Sequence, residues 1–533
     1  MIKVVTETQI RAIEAEADAN GVSYDEMMQK AGRAVADRVI LAFGARPRPQ
    51  VTILVGSGNN GGDGLVTGLF IAKDRPDAVV RYYLLKERPD DLYLQAAIES
   101  GLLIAYESND GDKRLLRNMI ASSDVVVDAL FGIGVHLPLR DEAQKVLRFT
   151  RQALNERHNA QPDDYTLDLS NLTGLEKAPP IIVIAVDLPS GVEANTGKTD
   201  KITLKADETV TFIAAKQGQF LGEAIEVIGH LVFANLGLPE KNKTLAAISD
   251  SVLDADTIRD LLPARSLNSN KGSYGKALIV AGSPNYIGAP MLSAQAAYRV
   301  GAGLVTVAAP QSVVYAIAPQ IPEVTWLPLA SKNQTENIMA SMTSSSALLI
   351  GPGLSTDANV QIRLLSILSN QTNLPRCVID ADALNILSQQ NEWWTLLPEH
   401  SILTPHPGEM SRLTGVETAQ LQADRFTIAR DYAQKWKHIV VLKGAHTLIA
   451  TPDGDIAVSP FKADALAKAG TGDVLSGMIV GFLAQGVKPA NAAKLAVYIH
   501  GAAGLAAAKT HGNRAVLAHE VSNHIGGVLQ QLG

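Results

Sequence analysis

The sequence predicts two α/β domains in tandem, each a parallel sheet covered by helices on both faces. Three observations predict this. Near-continuous apolar runs of strand length alternate with helix-length segments, the pattern of strands buried on both faces. The alternation comes as two series, with the polar stretch "GLPEKNKTLAAISDSV" between them. The chain has 533 residues, enough for more than one core.

In the first series the strand candidates are "VTILVG", "VVRYYLLK", "DVVVDAL", "IIVIAVDLPSG" and "ETVTFIAA". They fall in a domain of residues 1–240, and the polar segment from about Arg151 to Pro180 reads as a surface insertion between a helix and the next strand. The boundary is expected near residues 238–250. In the second domain, residues 245–533, the candidates are "KALIVAGS", "GLVTVAAP", "SALLIGPG", "CVIDADAL", "SILTPHPGE" and "HIVVLKGAHT". The glycine- and alanine-rich block "KAGTGDVLSGMIVGFLAQG" follows them.

Composition narrows the function classes. Apolar residues make up 46% and charged residues 19%, which supports a sizeable core and argues against disorder. The net charge is −7 (47 basic against 54 acidic residues) and there is no basic block, so nucleic acid is not an expected partner. The lone thiol, Cys377 in "RCVIDAD", makes neither an intramolecular disulfide nor a cysteine-based zinc site and reads as core packing. The start, "MIKVVTETQIRAIEAEADANG", reads as a polar segment and an amphipathic helix without a signal-peptide core. No apolar run is long enough to span a bilayer, so a cytoplasmic protein without a membrane partner is expected.

The stretch "VTILVGSGNNGGDG", residues 51–64, ends a strand in Gly56, Gly58 and Gly61 at the spacing G-x-G-x-x-G. The helix-like run "GLVTGLFIAKD" follows, a context that suits an anion or dinucleotide at a helix N-terminus. An ordinary dinucleotide turn nevertheless fits badly. Asn59, Asn60 and Asp63 crowd the loop, an aspartate repels a pyrophosphate, and only Glu87 offers an acid after the next strand. Those groups suit a neutral polar ligand or a cation; a glycine-rich turn with Asx caps is the plainer reading. Other strand ends carry Asp128 with a glycine turn from Gly132 to Pro138, Asp187 with Ser190, and Lys216. Four polar strand ends in one parallel sheet converge on one crevice. Taken alone, Lys216 also reads as a surface lysine or a salt-bridge partner.

In the second domain "AGTGD", residues 469–473, can turn backbone N–H groups toward one point, with a helix from about Val474 behind it. That makes an anion hole for a phosphoryl group, with Asp473 at its rim as a base for an attacking hydroxyl. The plainer reading is a helix N-cap. The G-K-[ST] ending of a Walker loop is missing, so this is not a P-loop nucleotidase. "LKGAHT" (442–447), "TPHPGEM" (404–410), "IGPGLS" (350–355) and "PNYIGAP" (284–290) add lysine, imidazole, carboxylate and backbone groups at further strand ends. Glu409 suits either a water-mediated magnesium ion or the start of a helix.

"GSGNNGGDG", "DALFGIG", "VDLPSG" and "FIAAKQG" resemble the motifs of NAD(P)H-hydrate epimerases over roughly residues 1–235. The resemblance implies a Rossmann-like sheet. It implies hydrate contacts at Asn59, Asn60, Gly61, Gly62 and Asp63, at Gly132, Ile133, Gly134, Val135, His136, Leu137 and Pro138, and at Asp187. It also implies a potassium ion held by Asn60, Asp128 and Ser190; oxygen ligands suit a hard cation. The hydrate carries a hydroxyl on C6 of the reduced ring, and exchanging its R and S forms needs a proton donor and acceptor near C6. Asp187 and Lys216 are the expected pair.

"HPGEM", "LKGAHT" and "AGTGDVLSG" together resemble the ribokinase-like ADP- or ATP-dependent NAD(P)H-hydrate dehydratases, over about residues 245–533. This resemblance implies AMP-moiety contacts at Lys443, Gly444, Ala445, His446, Thr447 and Gly472, and hydrate contacts at Ala289, Gly353, His406 and Asp473. Phosphorylating the C6 hydroxyl makes a leaving group that the ring nitrogen lone pair can expel, so a kinase-like site can carry out a net dehydration.

The expectation is a bifunctional nicotinamide-nucleotide repair enzyme, an isomerase and lyase on one chain. It would use potassium, magnesium and ADP or ATP, with ADP favoured by the resemblance of the fused form. One rival is a small-molecule kinase with a dinucleotide-binding regulatory domain; another is an inert NAD sensor. A homo-oligomer is expected, with apolar helices such as "AAKLAVYIHGAAGLAAA" able to serve an interface or a core.

Overall fold

The computed structural model describes residues 1–159, 180–238, 242–330, 333–370 and 373–533. It divides into two compact units, Ile2–Ile248 and Ser249–Gly533. Both are α/β, as the alternating runs predict.

The first unit carries a seven-stranded sheet in the order Leu103–Tyr106, Val79–Leu84, Gln50–Val55, Val125–Ala129, Ile182–Val186, Glu208–Phe212, His230–Ala234. Every pairing in it is parallel. Val125–Ala129 is buried throughout, which is why it reads as an unbroken apolar run. Strand order reverses between Gln50–Val55 and Val125–Ala129, so the crevice for a ligand opens beyond their carboxyl ends. Gly56 sits at this reversal; a Cβ there would overlap the Leu130 carbonyl.

Local structure departs from the sequence reading at several places. Ile2–Val5 is a strand, paired in parallel with Ala215–Lys216, and the predicted helix starts only at Glu7, behind a Thr6–Gln9 capping box. "ETVTFIAA" is not one strand: it breaks at Ile213, which adopts φ +65°, and Ala215–Lys216 resumes separately. The helix Asp141–Asn159 runs well past Arg151, so the insertion does not begin there; residues 160–179 lie outside the described residues. The helix after the first glycine turn begins at Asn59, not Gly64, so Asn59–Asp63 form its opening turns, capped by extended Gly58. Leu103–Tyr106 and His230–Ala234 are sheet edges that the apolar runs did not disclose.

In the second unit the strands run Thr325–Leu329, Leu304–Pro310, Lys276–Val280, Ala347–Ile350, Arg376–Ile379, Ile402–Leu403, Ile439–Leu442, Leu448–Ala450, Ile456–Val458, Ser251–Val252. Pairing is parallel as far as Ile439–Leu442, and an antiparallel meander then extends the sheet through Ile456–Val458. Helix Thr471–Ala484 is buried along almost its whole length, against helix Ala289–Arg299. Gly477 permits this approach, since a Cβ there would overlap the Ser293 backbone. Helix Pro489–His511 joins the core through Leu495, Ala496, Ile499, Ala503 and Ala507, so burial rather than an interface accounts for its apolar sequence. Cys377 is buried, which pushes its thiol up to about 12. Among the described residues no helix is long and apolar enough to cross a membrane.

Candidate active sites

At the crevice of the first unit, Asp187 follows strand Ile182–Val186 and adopts φ +64°, a left-handed conformation that costs free energy in a residue with a Cβ. Its surroundings hold it there. Thr211 Oγ1 donates to Asp187 Oδ1 at 3.0 Å, and Gln219 Nε2 donates to its main-chain carbonyl at 2.9 Å. Lys216 is 1% exposed and its ammonium donates to Asp187 Oδ1, to Thr211 Oγ1 at 3.1 Å and to the Phe212 carbonyl at 3.1 Å. The sequence reading of Lys216 as a surface residue is thereby excluded; it is buried and paired with Asp187.

Two further carboxyls face this pair. Asp63 is desolvated on the opening turns of its helix, and burial, then Asp187 and Glu14, push its carboxyl well above the usual range. Burial also raises Glu14, with Lys216 opposing and Asp187 reinforcing. Glu14 escaped sequence analysis because it reaches the site from helix Glu7–Ala19, away from the strand ends. Arg88 braces the glycine turn, donating from Nη1 to the carbonyls of Gly56 at 2.7 Å and Gly58 at 3.1 Å.

Asp128 lies behind the crevice, fully buried. It accepts from Ser190 N at 2.8 Å and Ser190 Oγ at 2.5 Å, while Phe131 N donates to Ser190 Oγ at 2.9 Å. Burial raises its carboxyl, and the Ser190 hydrogen bonds oppose that. Asn60 is also buried, and its Nδ2 has no hydrogen-bond partner among the described residues. A Cβ on Gly132 would stand 3.1 Å from Asn60 Oδ1, so the second glycine turn closes over this amide. A buried carboxylate that no cation pairs with among the described residues, beside amide and hydroxyl oxygens, fits a hard cation. Of the second turn, Gly134 and His136 are exposed, while Val135 sends its side chain into the core.

In the second unit the carboxyl ends of the strands gather a second cluster. Lys443 Nζ stands 3.0 Å from Asp380 Oδ1 and 3.6 Å from Glu409 Oε2. A Cβ on Gly472 would lie 3.6 Å from the same ammonium. Gly470, with φ +88°, is the N-cap of helix Thr471–Ala484, so Gly472 and Asp473 lie in its first turn and not in a preceding loop. Asp473 is not its N-cap, and its carboxylate accepts no hydrogen bond from the described residues. Burial, then Asp380, push it up to about 7. Asp380 ends strand Arg376–Ile379, so the strand-end rule applied to "CVIDADAL" would have found it.

His406 caps helix Pro407–Thr414: its Nδ1 accepts from Gly408 N at 3.0 Å and Glu409 N at 3.3 Å, which leaves the proton on Nε2. Burial, Lys443 and Arg412 hold it below the usual imidazole range. Glu409 Oε2 accepts from His406 N at 2.8 Å, so the helix-start reading is present alongside the ion pair to Lys443. His446, with φ +54°, donates from Nδ1 to the Ser459 carbonyl at 2.9 Å, and burial lowers it to about 4. Thr447 Oγ1 donates to Gly444 O at 3.0 Å, and Ala445 is exposed. Ala289 opens its helix against Gly353, whose Cβ would stand 3.0 Å from that of Ala289.

The model of the family described as YjeF-related protein N-terminus matches residues 24–218, and that described as NAD(P)H-hydrate dehydratase matches residues 277–526. The bifunctional NAD(P)H-hydrate repair enzyme Nnr of Moorella thermoacetica is 35% identical over 525 residues, covering 95% of this chain and 92% of its own. The enzyme of that name from Coxiella burnetii is 33% identical over 521 residues, 97% of each chain, and that from Escherichia coli is 31% identical over 519 residues, 96% of this chain and 91% of its own. Among solved structures, an ADP/ATP-dependent NAD(P)H-hydrate dehydratase from Bacillus subtilis co-crystallised with ATP/Mg2+ is 34% identical, with a TM-score of 0.47, covering 54% of this chain and 100% of that one. Both family models match one chain in this order, and these three relatives each align over at least 95% of it. The chain therefore belongs to the family of bifunctional NAD(P)H-hydrate repair enzymes.

Proposed function

We propose that the first unit interconverts the R and S hydrates of NADH or NADPH through Asp187 and Lys216, and that the second dehydrates the S form by phosphoryl transfer from ADP or ATP, with Asp473 as base. The observation that carries this reading is the presence, on one chain, of two buried acid–lysine clusters, each at the carboxyl ends of parallel strands.

In the first unit, epimerisation breaks and re-forms either the C6–O bond or the ring C6–N bond. In C6–N opening Asp187 takes the hydroxyl proton and Lys216 protonates the departing ring nitrogen, and the roles reverse on closure; in C6–O opening Lys216 protonates the departing hydroxide, and Asp187 takes a proton from the water that re-adds on the other face. Asp63 and Glu14, raised first by burial, are biased toward the protonated form beside this pair. Asn60, Asp128 and Ser190 would hold potassium, which compensates the buried Asp128 charge when bound.

In the second unit, Asp473 takes the proton of the C6 hydroxyl as that oxygen attacks the terminal phosphorus of the donor. Lys443 and the N–H groups at the start of helix Thr471–Ala484 stabilise the charge that develops. The N1 lone pair then expels phosphate from C6, and loss of a proton from C5 restores the 5,6 double bond. Asp380, Glu409 and Asp473 outnumber Lys443 in charge, an excess that fits a divalent cation; magnesium held through Glu409 and water would screen the phosphoryl oxygens.

The test is recovery of reduced-nicotinamide absorbance from racemic hydrate with magnesium, potassium and either donor. Full recovery, faster with ADP than with ATP, is expected. Recovery of the S share alone would remove the epimerase assignment. Donor consumption without recovery would point to a kinase with a dinucleotide-binding domain.

A further inference from the structure

The second unit buries a cation that none of these steps uses. Arg425 opens helix Arg425–Trp436 and is 4% exposed. No carboxylate among the described residues pairs with it, and its Nε has no partner there. A desolvated cation without a counter-ion is unfavourable unless dipoles or a bound anion compensate it. Among the described residues its hydrogen bonds all go to the end of strand Ile439–Leu442 and the loop after it. Nη1 donates to the carbonyl of Ala445 at 2.9 Å, and Nη2 donates to those of Leu442 at 3.1 Å and Lys443 at 3.3 Å.

This loop carries Lys443–Thr447, where the resemblance to the dehydratases implies contacts to the AMP moiety of the donor. Its backbone is unusual, with Gly444 at φ +151° and His446 at φ +54°. The guanidinium lies against Gly444, where a Cβ would stand 2.9 Å from Nη2. Across a trans peptide the N–H points opposite to the C=O. With the Lys443 carbonyl turned back toward Arg425, the Gly444 N–H is therefore aimed the other way.

We infer that Arg425 is a positioning residue for the phosphoryl donor: its guanidinium locks the Leu442–Ala445 backbone from behind and places a positive charge without a counter-ion beneath the site of the nucleotide anion. This rests on the reading of Lys443–Thr447 as nucleotide-binding, and the test separates the two. Calorimetric titration of the full chain with ADP is compared for the parent, R425K, R425M and K443M. R425M is expected to weaken ADP by about tenfold or more, as loss of charge-assisted hydrogen bonds implies, with R425K between it and the parent. The KM for the hydrate, and kcat at saturating ADP, should stay within about twofold, the pattern of a residue that acts only on donor binding. Amide exchange at Lys443, whose N–H donates to the Pro405 carbonyl at 2.9 Å, should quicken in R425K without nucleotide.

Unchanged ADP affinity in R425M, with K443M weakened, overturns the inference and leaves the loop reading intact. Unchanged affinity in K443M overturns the loop reading itself. A parallel fall in ADP affinity, hydrate affinity and kcat would make Arg425 merely structural and also overturn the inference. If R425M fails to fold, R425K decides: parental ADP affinity and parental Lys443 amide exchange would sink the proposal.

Discussion

Replacing Asp473 with Asn should abolish dehydration and at the same time make the protein more stable. The carboxyl is moved from an ordinary 3.8 to about 7, first by burial and second by Asp380. A folded-state pKa above the unfolded one means that the native state binds the extra proton. The group's contribution is thus least unfavourable in acid, worsens as pH rises from about 4 to about 7, and is constant above that. At about 1.4 kcal/mol per unit, the full penalty at pH 8 has a ceiling of about 4 kcal/mol, and partial solvent access reduces it to about 1–3 kcal/mol. Loss of a carboxylate from the first helical turn gives back about 0.3–1 kcal/mol. For a unit of this size each kcal/mol is worth about 2–4 °C in Tm. The assay is thermal unfolding of D473N and the parent in EDTA without nucleotide, at pH 5 and pH 8. The variant should unfold several degrees higher at pH 8, and the gap should shrink at pH 5. Equal Tm values at pH 8, or a gap that widens toward acid, would refute the reasoning. In the parent, dehydration should fall off below about pH 7 as Asp473 protonates.

Other outcomes follow from the same geometry. D187N and K216M should each slow R/S exchange by about 100-fold or more while S-hydrate recovery continues at the parental rate, as followed by chromatography of the two epimers. S190A frees Asp128 and the Phe131 N–H from their shared hydroxyl, so epimerisation should need about 10–100-fold more potassium. Replacing potassium by tetramethylammonium should depress epimerisation and spare dehydration. G477A pushes a methyl into the Ser293 backbone and should lower stability by about 1–3 kcal/mol in denaturant unfolding, with loss of dehydration because Asp473 shares the helix.

How much of this was legible in the chain follows from what each feature depends on. The central strands announced themselves: "VTILVG" and "DVVVDAL" are apolar on both faces because helices cover both faces of their sheet. The edge strands Leu103–Tyr106 and His230–Ala234 are half-covered and carry a weaker pattern. Asp187, Asp128, Lys443 and Asp473 were visible because a polar residue ending an apolar strand, or opening a helix after glycine, is a local signal. Helix starts were misplaced by a few residues at Asn59 and Thr471, since glycine marks a turn without saying on which side of it the helix begins.

The sequence by itself determined the class of fold, the two-part organisation and the strand ends where chemistry gathers, because hydrophobic periodicity and turn residues are written locally. Only the tertiary structure decided that Lys216 is buried against Asp187, that Glu14 and Asp63 face that pair, that Asp380 shares Lys443 with Glu409, and that Arg425 backs the 442–447 loop. The physical reason is desolvation. A charge becomes strong, costly or shifted in its proton affinity when segments distant in the chain close around it, and no local stretch of sequence encodes that closure.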